Sequence, residues 1–243
     1  TIKRCLMSIK TVLYDLDGTL LPMDTLGFVR MFAEVLIEKL NKLGLEGEEI
    51  MSEVNSGIFC MFANEGGQTN EKAFKEYMEK VYGTEQYRVI EEHLLDFYHE
   101  DFAKLKASCG FEEASAQIVE LCKSKGLKQI VATNPLFPEI ATAQRVAWAG
   151  LNFEDFLEVT TFENCSYCKP NIKYYEEILE KHGLKGEECL MVGNDVDEDM
   201  IASQLGMKVF LVTDNLINRS GTDIDKFPHG DFAKLRDFIE ETI

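Results

Sequence analysis

The sequence contains no apolar run near the roughly 18 residues that a membrane-spanning helix needs, so no membrane partner is expected. Basic residues are few: 25 Lys and Arg stand against 43 Asp and Glu, and the formal net charge is −18. This excess of negative charge argues against nucleic acid and anionic membranes as partners. Residues 1–10 carry no long apolar stretch and no small-residue cleavage site, so secretion is not expected.

Histidine and cysteine do not form a convincing metal site either. The four histidines show no ligand spacing and are interpreted as surface or boundary residues. The seven cysteines are scattered and odd in number, which favours reduced thiols and a cytoplasmic protein. Cys165 and Cys168 form a single C-x-x-C, so a structural zinc would lack two ligands. We expect two free loop thiols, with Cys168, beside Lys169, as a candidate for easy oxidation.

Hydrophobic patterning divides the 243 residues into two parts. Residues 25–106 show four amphipathic helical stripes and no convincing strand, with a weakness at Asn55-Ser56-Gly57 in the second stripe. Strands are predicted at 11–14, 129–132, 157–161, 189–192 and 209–212, with helices between the later ones. The predicted fold class is α/β: a Rossmann-like parallel sheet flanked by helices, formed by residues 1–23 and 107–243. Residues 24–106 are predicted to form an inserted all-helical cap domain.

Polar side chains with complementary chemistry follow these strands. In chain order they are Asp15 and Asp17, then Thr133 and Asn134, then Lys169, then Asp195 and Asp199. Ligands of open parallel sheets bind just beyond the carboxyl ends of the strands, so we expect these residues to converge at one edge. Two acidic clusters, a hydroxyl and an amine there are typical of a magnesium-dependent phosphoryl-transfer site.

Each fragment taken alone has an ordinary structural interpretation. Asp17-Gly18 is a good turn dipeptide, Lys169-Pro170 can open a helix, and the acidic residues 195–199 suit a helix N-terminus. The polar stretch 64–70 is interpreted as an exposed linker, with contact to a substrate as the alternative. It is the order of the fragments and their positions at strand ends that favour the functional interpretation.

With these fragments in this order, the sequence resembles the haloacid dehalogenase superfamily, in its phosphatase branch with a helical cap after the first strand. The resemblance implies that Asp15 is a nucleophile that forms an aspartyl-phosphate. It implies that Asp17 donates a proton to the leaving alcohol and then accepts one from water. Thr133, Asn134 and Lys169 would bind the phosphate, and Lys169 would also pair with Asp15.

The resemblance also implies a magnesium ion held by Asp15, Asp195 and the backbone carbonyl of Asp17. Asp199 would hold a metal-bound water from outside the inner set of ligands. One residue departs from the pattern: Asn194 precedes Asp195 where many relatives have glycine. Asp197 is therefore kept as the alternative ligand.

The function predicted from the sequence is Mg²⁺-dependent hydrolysis of a small phosphorylated metabolite by a cytoplasmic protein, as a monomer or weak homodimer. A phosphomutase of the β-phosphoglucomutase kind is the alternative, because it shares these motifs. A haloacid dehalogenase is disfavoured because dehalogenases of the family lack the second aspartate, which is present as Asp17. A catalytically inactive binding module is disfavoured because every charged motif residue is retained.

Overall fold

A computed structural model describes residues 8–243. The expectation that residues 1–10 do not form a secretion signal therefore falls mostly outside the described residues. Six strands form one parallel sheet in the order β3-β2-β1-β4-β5-β6. The strands are β1 (Thr11–Tyr14), β2 (Lys128–Val131), β3 (Glu158–Val159), β4 (Cys189–Gly193), β5 (Lys208–Val212) and β6 (His229–Gly230). The predicted α/β class with a parallel sheet is confirmed.

Strand β1 occupies the centre of the sheet because all four of its residues are buried and able to pack on both faces. It pairs with β2 on one side and β4 on the other, so that Leu13 lies opposite Ile130 and Met191. The Asp15 N–H continues the β4 ladder by donating to the Val192 carbonyl oxygen at 2.8 Å. The carboxyl ends of β1, β2 and β4 are therefore level with one another.

Eight α-helices accompany the described sheet. They are α1 (Thr25–Lys42), α2 (Gly47–Phe62), α3 (Asn70–Tyr82), α4 (Thr84–Glu100), α5 (Glu113–Ser124), α6 (Glu139–Trp148), α7 (Ile172–His182) and α8 (Phe232–Thr242). Helices α1 to α4 lie within residues 25–106, where four helices were predicted, and α5 follows them before β2. Within residues 8–243, no helix is both long and apolar enough to cross a bilayer.

Several boundaries differ from the sequence prediction. The fourth predicted helix ends at Glu100, and a separate 3₁₀ helix covers Phe102–Ser108. The helix expected between β4 and β5 is a 3₁₀ helix at Met200–Leu205, and β6 was not predicted. Helix α2 continues through the expected weakness because Gly57 packs against α3. A Cβ at Gly57 would lie 2.6 Å from Phe74 Cδ2, so the glycine allows the close approach of the two helices.

An aromatic cluster joins the inserted helices to the rest of the molecule. Phe28 and Phe32 of α1 both contact Phe137, which precedes α6, at ring-centroid distances of 6.1 and 5.6 Å. Phe102 contacts Phe137 and stacks on Trp148 of α6 at 5.4 Å. Offset and edge-to-face aromatic pairs of this kind add to the apolar area that they bury. The contacts position α1 next to the carboxyl edge of the sheet.

Candidate active site

The carboxyl edge of the sheet carries a cavity of about 210 Å³. Six of the seven residues predicted for the site line it: Asp15, Asp17, Thr133, Asn134, Asp195 and Asp199. The seventh, Lys169, is buried and contacts two of them. Helices α1 and α2 contribute the rest of one wall through Thr25, Phe28, Val29 and Phe62. The sequence motifs are thus brought together in one place.

Lys169 is a buried cation held between two carboxylates. Its Nζ atom lies 2.9 Å from Asp15 Oδ1 and 2.7 Å from Asp199 Oδ1. Burial opposes the charged form, but the fields of Asp15 and Asp199 outweigh it and raise the pKa of Lys169 well above its ordinary value. Lys169 therefore remains an ammonium group beside the predicted nucleophile, where a phosphate would need positive charge.

Asp199 uses both carboxylate oxygens within the protein. Oδ1 contacts Lys169, and Oδ2 accepts a hydrogen bond of 2.9 Å from the backbone N–H of Asp195. Burial, partly opposed by Lys169, raises the pKa of Asp199 to about 7. Asp199 thus fixes the loop after β4 relative to Lys169, and its holding of a metal-bound water stays a prediction.

Asn194, the residue that departs from the family pattern, cross-links the loops after β1 and β4. Thr19 Oγ1 lies 2.9 Å from Asn194 Oδ1 and 3.3 Å from Asp15 Oδ2. The Asn194 amide also packs on Gly18, where a Cβ would lie 2.4 Å from Nδ2 and where φ is +89°. Glycine at 18 meets both demands, since it tolerates positive φ and leaves room for the amide.

Asp17 is paired with a cation that the sequence analysis missed. Its Oδ2 atom accepts a hydrogen bond from Nη1 of Arg145, a buried residue of α6, whereas Oδ1 is buried and has no hydrogen-bond partner among the described residues. Burial is the largest influence on Asp17 and raises its pKa, while Arg145 lowers it and Asp15 raises it further. A raised pKa is what a carboxyl needs in order to donate a proton near neutral pH.

Asp195 is held by backbone N–H groups and by a second arginine. Its Oδ1 atom accepts from the N–H groups of Asp197 at 2.9 Å and Glu198 at 3.1 Å. Its Oδ2 atom accepts from Arg219 Nη1 at 2.7 Å, and Arg219 also lies 3.6 Å from Glu198. The Arg219 side chain is 60% exposed, so this pair is solvated at the cavity rim. Arg219 and Glu198 were not identified from the sequence.

Asn134 secures the loop that carries Lys169. Its Oδ1 atom accepts the Lys169 N–H at 3.2 Å, and its Nδ2 atom donates to the Lys169 carbonyl at 3.3 Å and to Glu198 at 3.2 Å. Thr133 is 2% exposed in the cavity wall, and its carbonyl accepts hydrogen bonds from Thr160 and Tyr174. The predicted contacts of Thr133 and Asn134 with phosphate stay predictions.

The segment 64–70 is not a simple exposed linker, because two of its asparagines are buried. Asn64 Nδ2 donates to Asn70 Oδ1 at 3.0 Å, and the Asn70 N–H donates to the Cys165 carbonyl at 2.8 Å. The segment therefore fastens α2 and α3 to the loop that precedes Lys169. The stretch consists only of polar residues and two glycines, so nothing in the sequence indicated this burial.

Cys165 and Cys168 are free thiols, as expected, but both are buried. Burial raises the pKa of Cys168 to about 12 and that of Cys165 well above its ordinary value. Since the thiolate is the species that oxidises readily, the expected easy oxidation of Cys168 is inconsistent with its surroundings.

The charges and oxygen donors of the site fit a magnesium ion. Five carboxyl groups and three cations meet around the cavity, which leaves two formal negative charges unbalanced: Asp15, Asp17, Asp195, Glu198 and Asp199 against Arg145, Lys169 and Arg219. Carboxylate and carbonyl oxygens are preferred Mg²⁺ ligands. Among residues 8–243, no three acidic, His or Cys side chains are grouped as a complete metal site. Asp15 and Asp195 would thus need a backbone carbonyl and non-protein oxygens to complete the coordination.

Comparison with known proteins agrees with this geometry. The sequence profile of haloacid dehalogenase-like hydrolases matches residues 9–206, and the chain belongs to this family. The predicted resemblance to the superfamily's phosphatases is confirmed by curated relatives. The chain is similar to glyceraldehyde 3-phosphate phosphatase of Methanothermobacter thermautotrophicus, with 28% identity over 90% of the chain and 92% of the relative. It is similar to phosphoglycolate phosphatase of Vibrio cholerae, with 25% identity over 85% of each.

A solved structure supports the same fold. The chain is similar to 2-haloacid dehalogenase of Pseudomonas syringae pv. tomato with a TM-score of 0.63 and 17% identity, over 97% of this chain and 100% of that one. At this identity the likeness concerns the fold alone. The profile match and the curated phosphatase relatives identify the chain as an enzyme of the haloacid dehalogenase-like hydrolase family.

Proposed function

We propose that the chain hydrolyses phosphomonoesters with Mg²⁺, through an aspartyl-phosphate formed on Asp15. The observation that carries the proposal is the contact of 2.9 Å between Asp15 and the buried ammonium of Lys169. A carboxylate that attacks a phosphate dianion needs such a fixed positive charge, because phosphoryl transfer depends mainly on positioning and charge stabilisation. Asp17, with its raised pKa, stands two residues away in the same cavity.

In the first step, an Asp15 oxygen forms a bond to phosphorus as the bond to the leaving alcohol breaks. The electron pair of that bond goes to the alcohol oxygen, which takes the Asp17 proton. Lys169, supported by Asp199, offsets the charge on the phosphoryl oxygens, and Thr133 supplies a hydroxyl donor. In the second step, water attacks phosphorus, Asp17 accepts a proton from this water, and Asp15 is released.

A bound Mg²⁺ would supply charge neutralisation and orient the phosphate for in-line attack. Asp15, Asp195 and the Asp17 carbonyl are the groups proposed to hold it, with Asp199 outside the inner set of ligands. The two unbalanced negative charges of the site support a divalent cation. That cation, together with Lys169, would let a chain with a net charge of −18 accept an anionic substrate.

The substrate is proposed to be a small phosphorylated metabolite. A cavity of about 210 Å³ has room for a phosphate and a short leaving group. The wall formed by α1 and α2 is largely apolar, with Thr25 as its polar side chain. The names of the curated relatives, which specify three-carbon and two-carbon phosphates, agree with this size. Residues 24–106 are proposed to act as a cap that excludes water during attack. We also propose that the protein is cytoplasmic and forms a monomer or a weak homodimer.

The test is phosphate release from p-nitrophenyl phosphate and a panel of two- to six-carbon phosphate esters, with Mg²⁺ or EDTA. We expect metal-dependent turnover that Asp15→Asn abolishes. Asp237→Asn, at an exposed position on α8, is the matched control and should retain full activity. Absence of release from every compound would contradict simple hydrolysis. Isomerisation of a sugar phosphate on addition of a bisphosphate would then identify a phosphomutase.

A further inference from the structure

Arg145 is a buried cation whose position the hydrolysis scheme above does not require. It lies on α6, and its side chain is 1% exposed. Its guanidinium carbon lies 4.7 Å from the centre of the Phe137 ring, and Nη2 donates to Thr142 Oγ1 at 3.1 Å. Nη1 is paired with Asp17 Oδ2, and Nε has no hydrogen-bond partner among the described residues.

Burial of this guanidinium has an energetic cost that a purely structural role does not explain. A buried ion pair is often no more stabilising than apolar residues of similar volume, because both charges lose their hydration. Arg145 shares the buried side of α6 with the apolar residues Ala141 and Val146, which are fully buried. Within the described residues, the only carboxylate in an ion pair with Arg145 is that of Asp17.

The pairing makes the two oxygens of Asp17 inequivalent. Oδ2 is occupied by Arg145, whereas Oδ1 is buried without a hydrogen-bond partner. The contact with Arg145 therefore fixes the orientation of the Asp17 carboxyl. Arg145 is itself restrained by Thr142 and Phe137, so it can hold Asp17 in one rotamer.

We propose that Arg145 is a positioning residue: its contact with Asp17 Oδ2 holds the Asp17 carboxyl in one orientation toward the leaving alcohol. The proposal rests on the proposed function, in which Asp17 is the acid. As the phosphorus–oxygen bond breaks, its electron pair moves to the alcohol oxygen, and the proton of the Asp17 carboxyl passes to that oxygen. Water later returns a proton to the same carboxyl. Arg145 neither gains nor loses a proton.

The dependence of rate on the leaving group tests this role. An alkoxide is a poor leaving group that needs a proton, whereas p-nitrophenolate leaves readily without one. General acid catalysis contributes about 10²–10⁴-fold where a proton is needed. Arg145→Met should therefore lower kcat for an alkyl phosphate at least about tenfold more than kcat for p-nitrophenyl phosphate. KM should change little. Asp17→Asn should show a still larger difference in kcat loss between the alkyl phosphate and p-nitrophenyl phosphate.

Two further variants cover the case in which Arg145→Met does not fold. Arg145→Lys keeps the charge but lacks the planar fork that binds Asp17 and Thr142 together. Thr142→Val keeps the arginine and removes one of its restraints. Both variants should also lower kcat more for the alkyl phosphate than for p-nitrophenyl phosphate, but to a smaller degree. Arg236→Met, at an exposed position on α8, should show no such difference.

The outcomes separate this inference from the proposed function. An equal loss of kcat with both leaving groups, in whichever of these variants folds, would overturn the positioning role but not the proposed hydrolysis. Failure of the wild type to release phosphate from either compound would overturn the proposed function, and the positioning role with it.

Discussion

The carboxylate of Asp199 lies directly against the backbone of Gly193: a Cβ at residue 193 would stand 2.1 Å from Asp199 Oδ2. This contact places Asp199 where one oxygen reaches Lys169 at 2.7 Å and the other the Asp195 N–H at 2.9 Å. Glycine at 193 is needed for space, since its φ is not positive. The end of β4 thereby orients the cation beside Asp15.

Gly193→Ala should consequently disable the site. The added methyl group must displace Asp199, which would leave Lys169 with one carboxylate and disturb the Asp195 loop. We expect a stability loss of about 1–3 kcal/mol, typical of overpacking, with at least about a tenfold fall in kcat. Gly67→Ala is the control, because its Cβ has nothing within 4 Å, although its φ of +84° adds strain. It should lower stability but retain kcat; normal kcat in Gly193→Ala would contradict the account.

Arg219 should compete with a metal ion for Asp195. Since the Arg219 side chain is 60% exposed, its pair with Asp195 is expected to be worth only about 0.2–1 kcal/mol. Arg219→Gln frees Asp195 Oδ2, so the Mg²⁺ concentration for half-maximal activity should fall about twofold to fivefold. Magnesium titration of initial rates measures this, with Arg236→Gln as the control. A higher magnesium requirement in Arg219→Gln would show that Arg219 supports the metal site.

The raised pKa of Tyr82 should make the free energy of unfolding fall at high pH. Its hydroxyl is buried without a partner, and burial, with Glu49 and Glu53, raises its pKa to about 12. The folded state then keeps a proton that the unfolded chain loses near pH 10, so this contribution to stability declines as the pH rises from about 10 to about 12. Tyr82→Phe should raise the free energy of unfolding by up to about 1 kcal/mol at pH 8, and by more at pH 11.

Urea titrations at the two pH values measure the Tyr82 effect. Tyr77→Phe is the matched variant, because the Tyr77 hydroxyl donates to Glu53 at 2.5 Å. It should lower stability instead of raising it. A destabilised Tyr82→Phe would mean that the Tyr82 hydroxyl has a partner in solution.

Thiol labelling should follow burial in the folded protein. Cys60 is partly exposed, whereas Cys168 is 4% exposed and has a pKa of about 12. At pH 8 only about 10⁻⁴ of Cys168 would be thiolate, the reactive form. Iodoacetamide should therefore modify Cys60 at least about a hundredfold faster, as followed by peptide mass spectrometry. Comparable rates would contradict the burial of the loop that carries Lys169.

The residues at strand ends could be predicted because parallel sheets bring their carboxyl ends to one edge. Asp15, Thr133 and Asp195 follow three neighbouring strands, so the strand pattern sufficed to place them together. Arg145 could not be found this way, since it lies within α6 and not at a strand end, 128 residues from its partner Asp17. The sequence offered one indication of Arg145: it is a charged residue on the apolar stripe of α6, four positions after Ala141.

The conformation of the loop after β4 could not be predicted from sequence patterns either. The acidic run 195–199 suits a helix N-terminus, but Asp195 Oδ1 accepts two backbone N–H groups and Asp199 turns back onto Gly193. These side-chain contacts tighten the chain, and a 3₁₀ helix follows in place of an α-helix. Strand β6, at two residues, is too short for any periodicity to indicate.

Capture of the covalent intermediate tests the central claim most directly. The enzyme would be mixed with a phosphate ester, quenched with acid within the first turnover and reduced with borohydride, which converts an aspartyl-phosphate to homoserine. The account predicts homoserine at position 15 in peptide mass spectra, dependent on substrate and absent from Asp15→Asn. Steady release of phosphate with unmodified Asp15, or modification at another carboxylate, would contradict it.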